Sequence, residues 1–298
     1  MSGLELERFS GDTYVIRGAT NIGVYSPAGD GATLIDSGND DDAGRKILRA
    51  CEAAGLRIAC IANTHSNADH CGGNAFIQAR TGCAIASTRV EAAFIEEPSL
   101  EPTLLWGGYP LPPLRNKFLV AKPSKVTEIL EPPCSLSGSG VKVLALPGHY
   151  VGMVGYLTPD GVLFAADAAA SPEILEKYRY YYVYDVAAHL ATLGALGSHG
   201  AEWIVPSHAE PTRDPEALAA VNIAKVEEVG GIVLELCGAE SSAEELVARL
   251  ADRLGLMLNH TQYALLGSTL RSYLAWLADR GLIVSRIETN RLLFSRKA

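Results

Sequence analysis

Strand-length apolar runs separated by turn residues dominate the first forty positions. Thr13-Tyr14-Val15-Ile16, Ile22-Gly23-Val24-Tyr25 and Ala32-Thr33-Leu34-Ile35-Asp36 are β-prone, and Ser26-Pro27-Ala28-Gly29-Asp30-Gly31 is turn chemistry. Together they predict an antiparallel meander. Asn39 and the triplet Asp40-Asp41-Asp42 supply a cap and an acidic first turn. The helix they open carries Ile47, Leu48 and Cys51 on one face and ends near Gly55. The apolar run from Arg57 to Ala62 leads straight into Asn63-Thr64-His65, so the histidine segment sits at a strand end, and a helix is predicted over Gly73 to Ala79.

Residues 97–125 break this rhythm. Six prolines and Gly107-Gly108 interrupt the bulky Leu104, Leu105, Trp106, Tyr109, Leu111 and Phe118, which reads as a long irregular insertion serving as a lid or a dimer contact. Strand-like runs return at Val141–Leu146, Val154–Leu157 and Val162–Ala166, then a helical stretch near Asp185–Leu196, then Trp203-Ile204-Val205. Strands followed by amphipathic helices in two successive halves predict sheets inside a helical shell. In the last sixty residues the capping box Ser242-Ala243-Glu244-Glu245 opens a helix with Leu246, Leu250 and Leu254 on one face. A second helix is expected over Thr261 to Asp279. Two β-like runs, Leu282–Arg286 and Leu292–Ser295, then flank the hairpin turn Glu288-Thr289-Asn290-Arg291. The expected division is 1–235 for the main domain and 236–298 for a small one.

Composition adds exclusions. Of 298 residues, 48% are hydrophobic and 20% charged, as in a globular chain with a sizeable core. No apolar run reaches the roughly 18–20 residues that cross a bilayer. Met1-Ser2-Gly3-Leu4-Glu5-Leu6-Glu7-Arg8 lacks the basic-then-apolar order of a leader, so a cytoplasmic location is expected. The net charge of −9 argues against nucleic acid or anionic membrane as a partner. Six cysteines occur without a Cys-x-x-Cys pair and read as small packed residues, Cys71 beside His70 included.

His65, Asp69 and His70 place three potential ligands within six residues at a strand end. Imidazole and carboxylate without thiolate suit zinc, iron or manganese in an open, reactive site. His149 follows Pro147-Gly148 after an apolar run, Asp167 ends Val162-Leu163-Phe164-Ala165-Ala166, and His208 follows Val205-Pro206-Ser207. Each ligand cluster thus stands where an apolar strand runs into small or turn residues. His189, His199 and His260 read as surface or structural residues.

Taken in order, Asp36-Ser37-Gly38, Thr64-His65-Ser66-Asn67-Ala68-Asp69-His70-Cys71-Gly72-Gly73-Asn74, Pro147-Gly148-His149, Ala166-Asp167 and Pro206-Ser207-His208 resemble the metallo-β-lactamase fold superfamily. The resemblance covers residues 12 to about 212. It implies an α/β fold, a four-layer αβ/βα sandwich, with one metal position near His65 and His149. It implies a second near Asp69, His70 and His208, with Asp167 able to bridge them. The family pattern is His-x-His-x-Asp-His, and Asn67 stands where its second histidine belongs. An amide oxygen is a harder, weaker donor for zinc than imidazole. The cofactor expectation is therefore one or two divalent ions, zinc first, with iron or manganese as alternatives.

The implied chemistry is hydrolysis through a metal-activated water, with Asp69 orienting the water, on a small-molecule thioester, ester, lactone or amide. Tyr150 and the Tyr178–Tyr184 cluster are pocket-lining candidates, with packing an equal alternative; the substrate-binding residues are otherwise unknown. The tail looks like a small winged-helix appendage of the kind found beside similar endoribonucleases. From residue 268 onward it carries six basic residues against two acidic ones. A ribonuclease or phosphodiesterase is thus one alternative, and a binding protein with a degenerate site another. The tail is expected to act as a packing or homo-oligomer surface.

Overall fold

The computed structural model describes residues 4–27 and 31–297; the Ala28-Gly29-Asp30 part of the expected turn lies outside them. The first half runs β1 (Leu6–Ser10), β2 (Thr13–Ile16), β3 (Ile22–Tyr25), β4 (Ala32–Ile35), α1 (Asp41–Ala53), β5 (Ile58–Ala62), α2 (Ala68–Cys71), α3 (Asn74–Thr81), β6 (Ala84–Thr88), α4 (Arg89–Glu96), α5 (Leu100–Trp106) and β7 (Glu128–Leu130). These seven strands form one sheet in sequence order. Neighbours β1 to β4 are antiparallel, and β4 to β7 are parallel, joined through helices.

The second half runs β8 (Cys134–Ser135), β9 (Lys142–Ala145), β10 (Val154–Leu157), β11 (Val162–Ala166), α6 (Pro172–Tyr178), α7 (Val186–Ala195), β12 (Trp203–Pro206) and α8 (Pro215–Leu236). Its five strands are ordered β12-β11-β10-β9-β8. Val15, Tyr25, Ile35 and Ala86 of the first sheet interlock with Val143, Tyr156, Phe164 and Val205 of the second. Ile47, Leu48, Cys51 and Ile77 of α1 and α3 cover the outer face of the first sheet. Leu196 and Leu218, from the ends of α7 and α8, help cover that of the second. The result is a four-layer sandwich. Strands β3, β4, β10 and β11 are buried along their whole length, which is why they read as continuous apolar runs rather than alternation.

This topology concentrates chemistry at one edge. Strands β4 and β5 are parallel, and so are β11 and β12; β9 and β11, each antiparallel to β10, also point the same way. The segments after β4, β5, β9, β11 and β12 carry Asp36, His65, His149, Asp167 and His208 respectively.

The insertion differs from the irregular expectation. It holds α5 and a 3-10 turn at Pro112–Leu114. Its prolines are compatible with both. Pro102 sits in the first turn of α5, where an amide hydrogen has no helical partner to lose, and Pro112 opens the 3-10 turn.

The tail comprises β13 (Ser241–Ser242), α9 (Ala243–Leu254), α10 (His260–Asp279), β14 (Ile283–Glu288) and β15 (Arg291–Arg296), with the strands in the order β13-β15-β14. Capping boxes open both helices, Ser242 with Glu245 and Asn259 with Gln262. Thr289 and Asn290 make the hairpin turn, both at positive φ. Leu105, Leu114 and Leu119 of the insertion pack on Ala264 of α10, and Asn116 Nδ2 donates to Thr261 Oγ1 at 3.2 Å.

Helix α8 is shared ground. Val226, Val229 and Val233 are buried among Leu246 and Leu250 of α9 and Leu266, Leu270 and Tyr273 of α10. Truncation after residue 238 uncovers these valines, each contributing about 1.5–3 kcal/mol when buried. The expected result is a chain that self-associates or precipitates. Size-exclusion chromatography checks it, and a soluble truncated chain eluting as the full-length one does would refute it.

Candidate metal centre

Short segments beyond the strand ends carry the functional side chains. After β5 the chain runs through Thr64 and His65 into the single turn α2, which brings Asp69 and His70 back toward the strand end. The turn is pressed against the loop after β4: a Cβ on Gly72 would lie 2.3 Å from the Asn39 backbone. Gly148 before His149 has φ +125°, and a Cβ there would meet His189 Cα at 2.3 Å. Asp36 and Ala166 also take positive φ, 64° and 51°, so non-glycine residues hold a costly conformation on both sides of the site.

The expected histidines and aspartates come together, and Asn67 lies half-buried just before α2. Ligand atoms of His65, His70 and Asp167 lie within 4.8 Å of one another, and so do those of Asp69, His70 and His208. Asp167 reaches several imidazoles: Oδ1 is 3.4 Å from His70 Nε2, and Oδ2 is 3.5 Å from both His149 Nε2 and His208 Nε2. His208 Nε2 is 3.2 Å from Asp69 Oδ2. The rings of His65 and His149 are 5.3 Å apart. Asn67 precedes α2, its Nδ2 donating to Glu101 Oε1 at 2.8 Å. His189 lies outside the cluster, buried and with both ring nitrogens unpartnered among the described residues, rather than on the surface.

The fit to a cation rests on the far side of each ring. His65 Nδ1 meets Thr64 Oγ1 at 3.1 Å and His70 Nδ1 meets Asp36 Oδ2 at 2.8 Å. His149 Nδ1 donates to the Tyr182 carbonyl at 2.9 Å and His208 Nδ1 to the Ala19 carbonyl at 2.8 Å. Every ring is thus held by Nδ1 with Nε2 free to coordinate, the arrangement of metal-ligating histidines. His65 Nε2, His70 Nε2 and Asp167 Oδ1 are buried with no hydrogen-bond partner. His70 and Asp167 approach closely enough for attraction but not in hydrogen-bond geometry. Buried polar atoms left unpaired in this way are costly unless an ion completes them.

Electrostatics divide the cluster. Burial pushes the pKa values of His65 and His149 down, so these rings are neutral donors. Burial opposes protonation of His208 too, but Asp167 and Asp69 override it and push its pKa up to about 11; Asp69 and Asp167 likewise raise His70. Burial alone would lift the carboxyls of Asp69 and Asp167, yet His70 and His208 hold both below the usual carboxylate range. The anionic half of the site attracts positive charge strongly.

Three acidic residues act from behind. Asp36, buried, accepts from Thr64 N at 2.8 Å, Thr64 Oγ1 at 2.7 Å and His70 Nδ1. Glu91, buried, accepts from Ser66 N at 2.9 Å and Gly152 N at 2.7 Å, tying the His65 loop to the start of β10. Glu101, also buried, holds Asn67. Burial raises the carboxyl pKa of both glutamates, Glu101 well above the usual range. Asp36 was legible as part of a motif but not as a support for His70. Glu91 and Glu101 sit in helical segments that nothing local marks as facing the site.

Asp69, Asp167 and His208 lie on the wall of a cavity of about 870 Å³, with Lys177, Tyr178 and Tyr181 among its other lining residues. The Tyr181 hydroxyl is buried without a partner among the described residues.

The profile of the Metallo-beta-lactamase superfamily matches residues 15–208. A hydroxyacylglutathione hydrolase of Maricaulis maris (strain MCS10) is 30% identical over 145 residues, 48% of this chain and 45% of that protein. One from Acidiphilium cryptum (strain JF-5) is 30% identical over 124 residues, 42% of this chain and 40% of that protein. The chain therefore matches less than half the length of these relatives. Among solved structures, a metallo-beta-lactamase family protein from Thermus thermophilus superimposes with a TM-score of 0.74 at 20% identity, covering 99% of each chain. A beta-lactamase domain protein from Burkholderia ambifaria gives 0.70 at 17% identity, covering 98% of this chain and 93% of that one. At these identities the structural likeness carries the fold.

Proposed function

The chain belongs to the metallo-β-lactamase superfamily, and from that premise we propose that it is a metal-dependent hydrolase of small-molecule thioesters, esters or lactones. One observation carries the reading: His65, His70 and Asp167 cluster with His65 Nε2, His70 Nε2 and Asp167 Oδ1 buried and unpaired, and Asp167 also lines the cavity. In this reading His65, His149 and Asn67 form a first position, Asp69, His70 and His208 a second, and Asp167 stands between. Four imidazoles and two carboxylates without thiolate suit zinc, with manganese or iron as alternatives.

A divalent ion held by these residues would supply an activated water, its pKa lowered from 15.7 to about 7, and a Lewis acid for the substrate carbonyl. The chain's own residues do the rest. The Asp69 side chain is 41% exposed, far more than the 8% of Asp167, so it is the carboxylate that can touch a water entering from the cavity. It would orient that water and accept its proton. Tyr181 offers the substrate a hydroxyl from the cavity wall.

A small molecule fits better than a nucleic acid. The cavity falls within the roughly 300–1,000 Å³ usual for small ligands. In the tail, Arg271 pairs with Glu244, Arg291 with Glu245, and Arg286 with Glu240 and Glu288, so half of the six basic residues from residue 268 onward already face a carboxylate rather than being free for phosphates. An acylglutathione is a thioester, so the named relatives place thioesters first on the panel. The test is turnover by the zinc- or manganese-loaded chain of an acyl thioester, an aryl ester, a lactone, a phosphodiester and an RNA oligonucleotide. Hydrolysis confined to the first three is expected. Hydrolysis confined to the last two would make the chain a phosphodiesterase, and an ion-loaded chain inert to all five and to a small-molecule amide would make it a binding protein.

A further inference from the structure

Asn67 departs from its family position, and its surroundings suggest what it does instead. It stands immediately before α2, at the cap position, where asparagine ordinarily accepts a hydrogen bond from the first free amide groups of the helix. Here its side chain makes no such bond. Its Nδ2 is committed elsewhere, to Glu101 Oε1 at 2.8 Å, and Oδ1 accepts no hydrogen bond among the described residues. An amide is planar, with nitrogen and oxygen on opposite branches. Fixing Nδ2 therefore fixes where Oδ1 points.

Glu101 is placed for this by the insertion. It occupies the first turn of α5 and is 5% exposed, while Leu105 in the next turn anchors the helix against Ala264 of α10. The backbone of Asn67 is fixed as well, since its carbonyl accepts from His70 N at 2.9 Å and Cys71 N at 3.1 Å.

We propose that Glu101 is a positioning residue that turns the Asn67 amide so that Oδ1 serves as the third donor of the first metal position, beside His65 and His149. This rests on the metal-centre reading above but not on any substrate. Its consequence is a position of two imidazoles and one neutral oxygen, shifted toward ions that accept harder donors, manganese relative to zinc. The insertion is then part of the metal site and not only a cover for it.

The test is ion loading of the full-length chain, by calorimetric titration with zinc alone and with manganese alone and by native mass spectrometry for ions per chain. Glu101→Leu removes the acceptor and should weaken one loading step by roughly 10–100-fold, the usual effect of losing a support behind a ligand, leaving the other step within twofold. Glu101→Gln keeps an oxygen that can accept from Nδ2 and should stay within about threefold of the wild type. Asn67→Ala should lose the same step, and adding Glu101→Leu to it should change nothing further. Asn67→His should tighten that step, because imidazole is a stronger donor to zinc than an amide oxygen.

A wild-type loading step in either Glu101→Leu or Asn67→Ala would overturn the proposal. So would a further weakening by Glu101→Leu in the Asn67→Ala background, which would mean that Glu101 acts through packing and not through the amide. If Glu101→Leu does not fold, Glu101→Ala takes its place in each comparison. An inactive chain that loads as described refutes the hydrolase and leaves this inference standing; an active chain that ignores both substitutions does the reverse.

Discussion

Removal of divalent ions by chelation should bring hydrolysis by this chain to background, and zinc or manganese should restore it; Asp167→Ala should not be rescued by either. The carboxylate of Asp167 lies within 3.5 Å of nitrogens on His70, His149 and His208, so it touches both halves of the cluster. No other acidic residue in the site does this, since Asp69 faces only His70 and His208. Without Asp167, four imidazoles converge on one carboxylate, and His70 and His208 lose an anion that raises their pKa. The lost affinity should exceed the roughly 10–100-fold that follows loss of a supporting group, because Asp167 is placed as a ligand rather than behind one. Asp167→Asn, which keeps the shape and removes the charge, should also lose turnover. The measurements are ions per chain and steady-state rate before chelation, after it and after reloading. Turnover that survives chelation would sink the mechanism outright.

The site was legible where chemistry follows a buried strand. His65, His149, Asp167 and His208 each come after an apolar run that small or turn residues end, and a strand end fixes a side chain with little help from distant sequence. The meander of β2, β3 and β4 and the tail were legible for the same local reason: short apolar runs bounded by turn residues, a capping box and a two-residue turn all act over a few positions.

What escaped the sequence depends on packing at a distance. Helix α8 carries the start signal Asp214-Pro215, with Asp214 accepting from Ala217 N, yet Gly230-Gly231 near its middle argues against a helix. Gly230 is there because α10 approaches closely: a Cβ would lie 2.8 Å from the Trp276 ring. Tertiary contact decides the residue, and propensity misreads it. Glu91 and Glu101 were invisible for a related reason. A glutamate in a helical segment is usually solvated, and only the folded chain shows these two buried against the loop that carries His65 and Asn67. The insertion looked like a cover because its own residues say nothing of α10 behind it.

Asp36→Asn should leave the chain folded and still cost it an ion. Asp36 Oδ1 accepts from the amide of Thr64, which cannot turn, so the asparagine oxygen will take that place. Its Nδ2 then falls where Oδ2 now receives Thr64 Oγ1 and His70 Nδ1. The threonine hydroxyl can rotate to accept, but His70 has only one way to accept at Nδ1, which is to carry its proton on Nε2. That is the nitrogen facing Asp69 and Asp167, and a protonated nitrogen cannot coordinate. Ion affinity at the Asp69–His70–His208 position should fall by at least about 10–100-fold with little change in melting temperature, and hydrolysis should fall with it. Asp36→Ala separates the two effects. It leaves a buried amide and hydroxyl unpaired, at about 1–3 kcal/mol each, and puts alanine at φ +64°, so it should lower the melting temperature as well. Thermal denaturation paired with zinc titration distinguishes the variants. An Asp36→Asn chain that loads both positions with wild-type affinity would show that the tautomer of His70 is set by something other than Asp36.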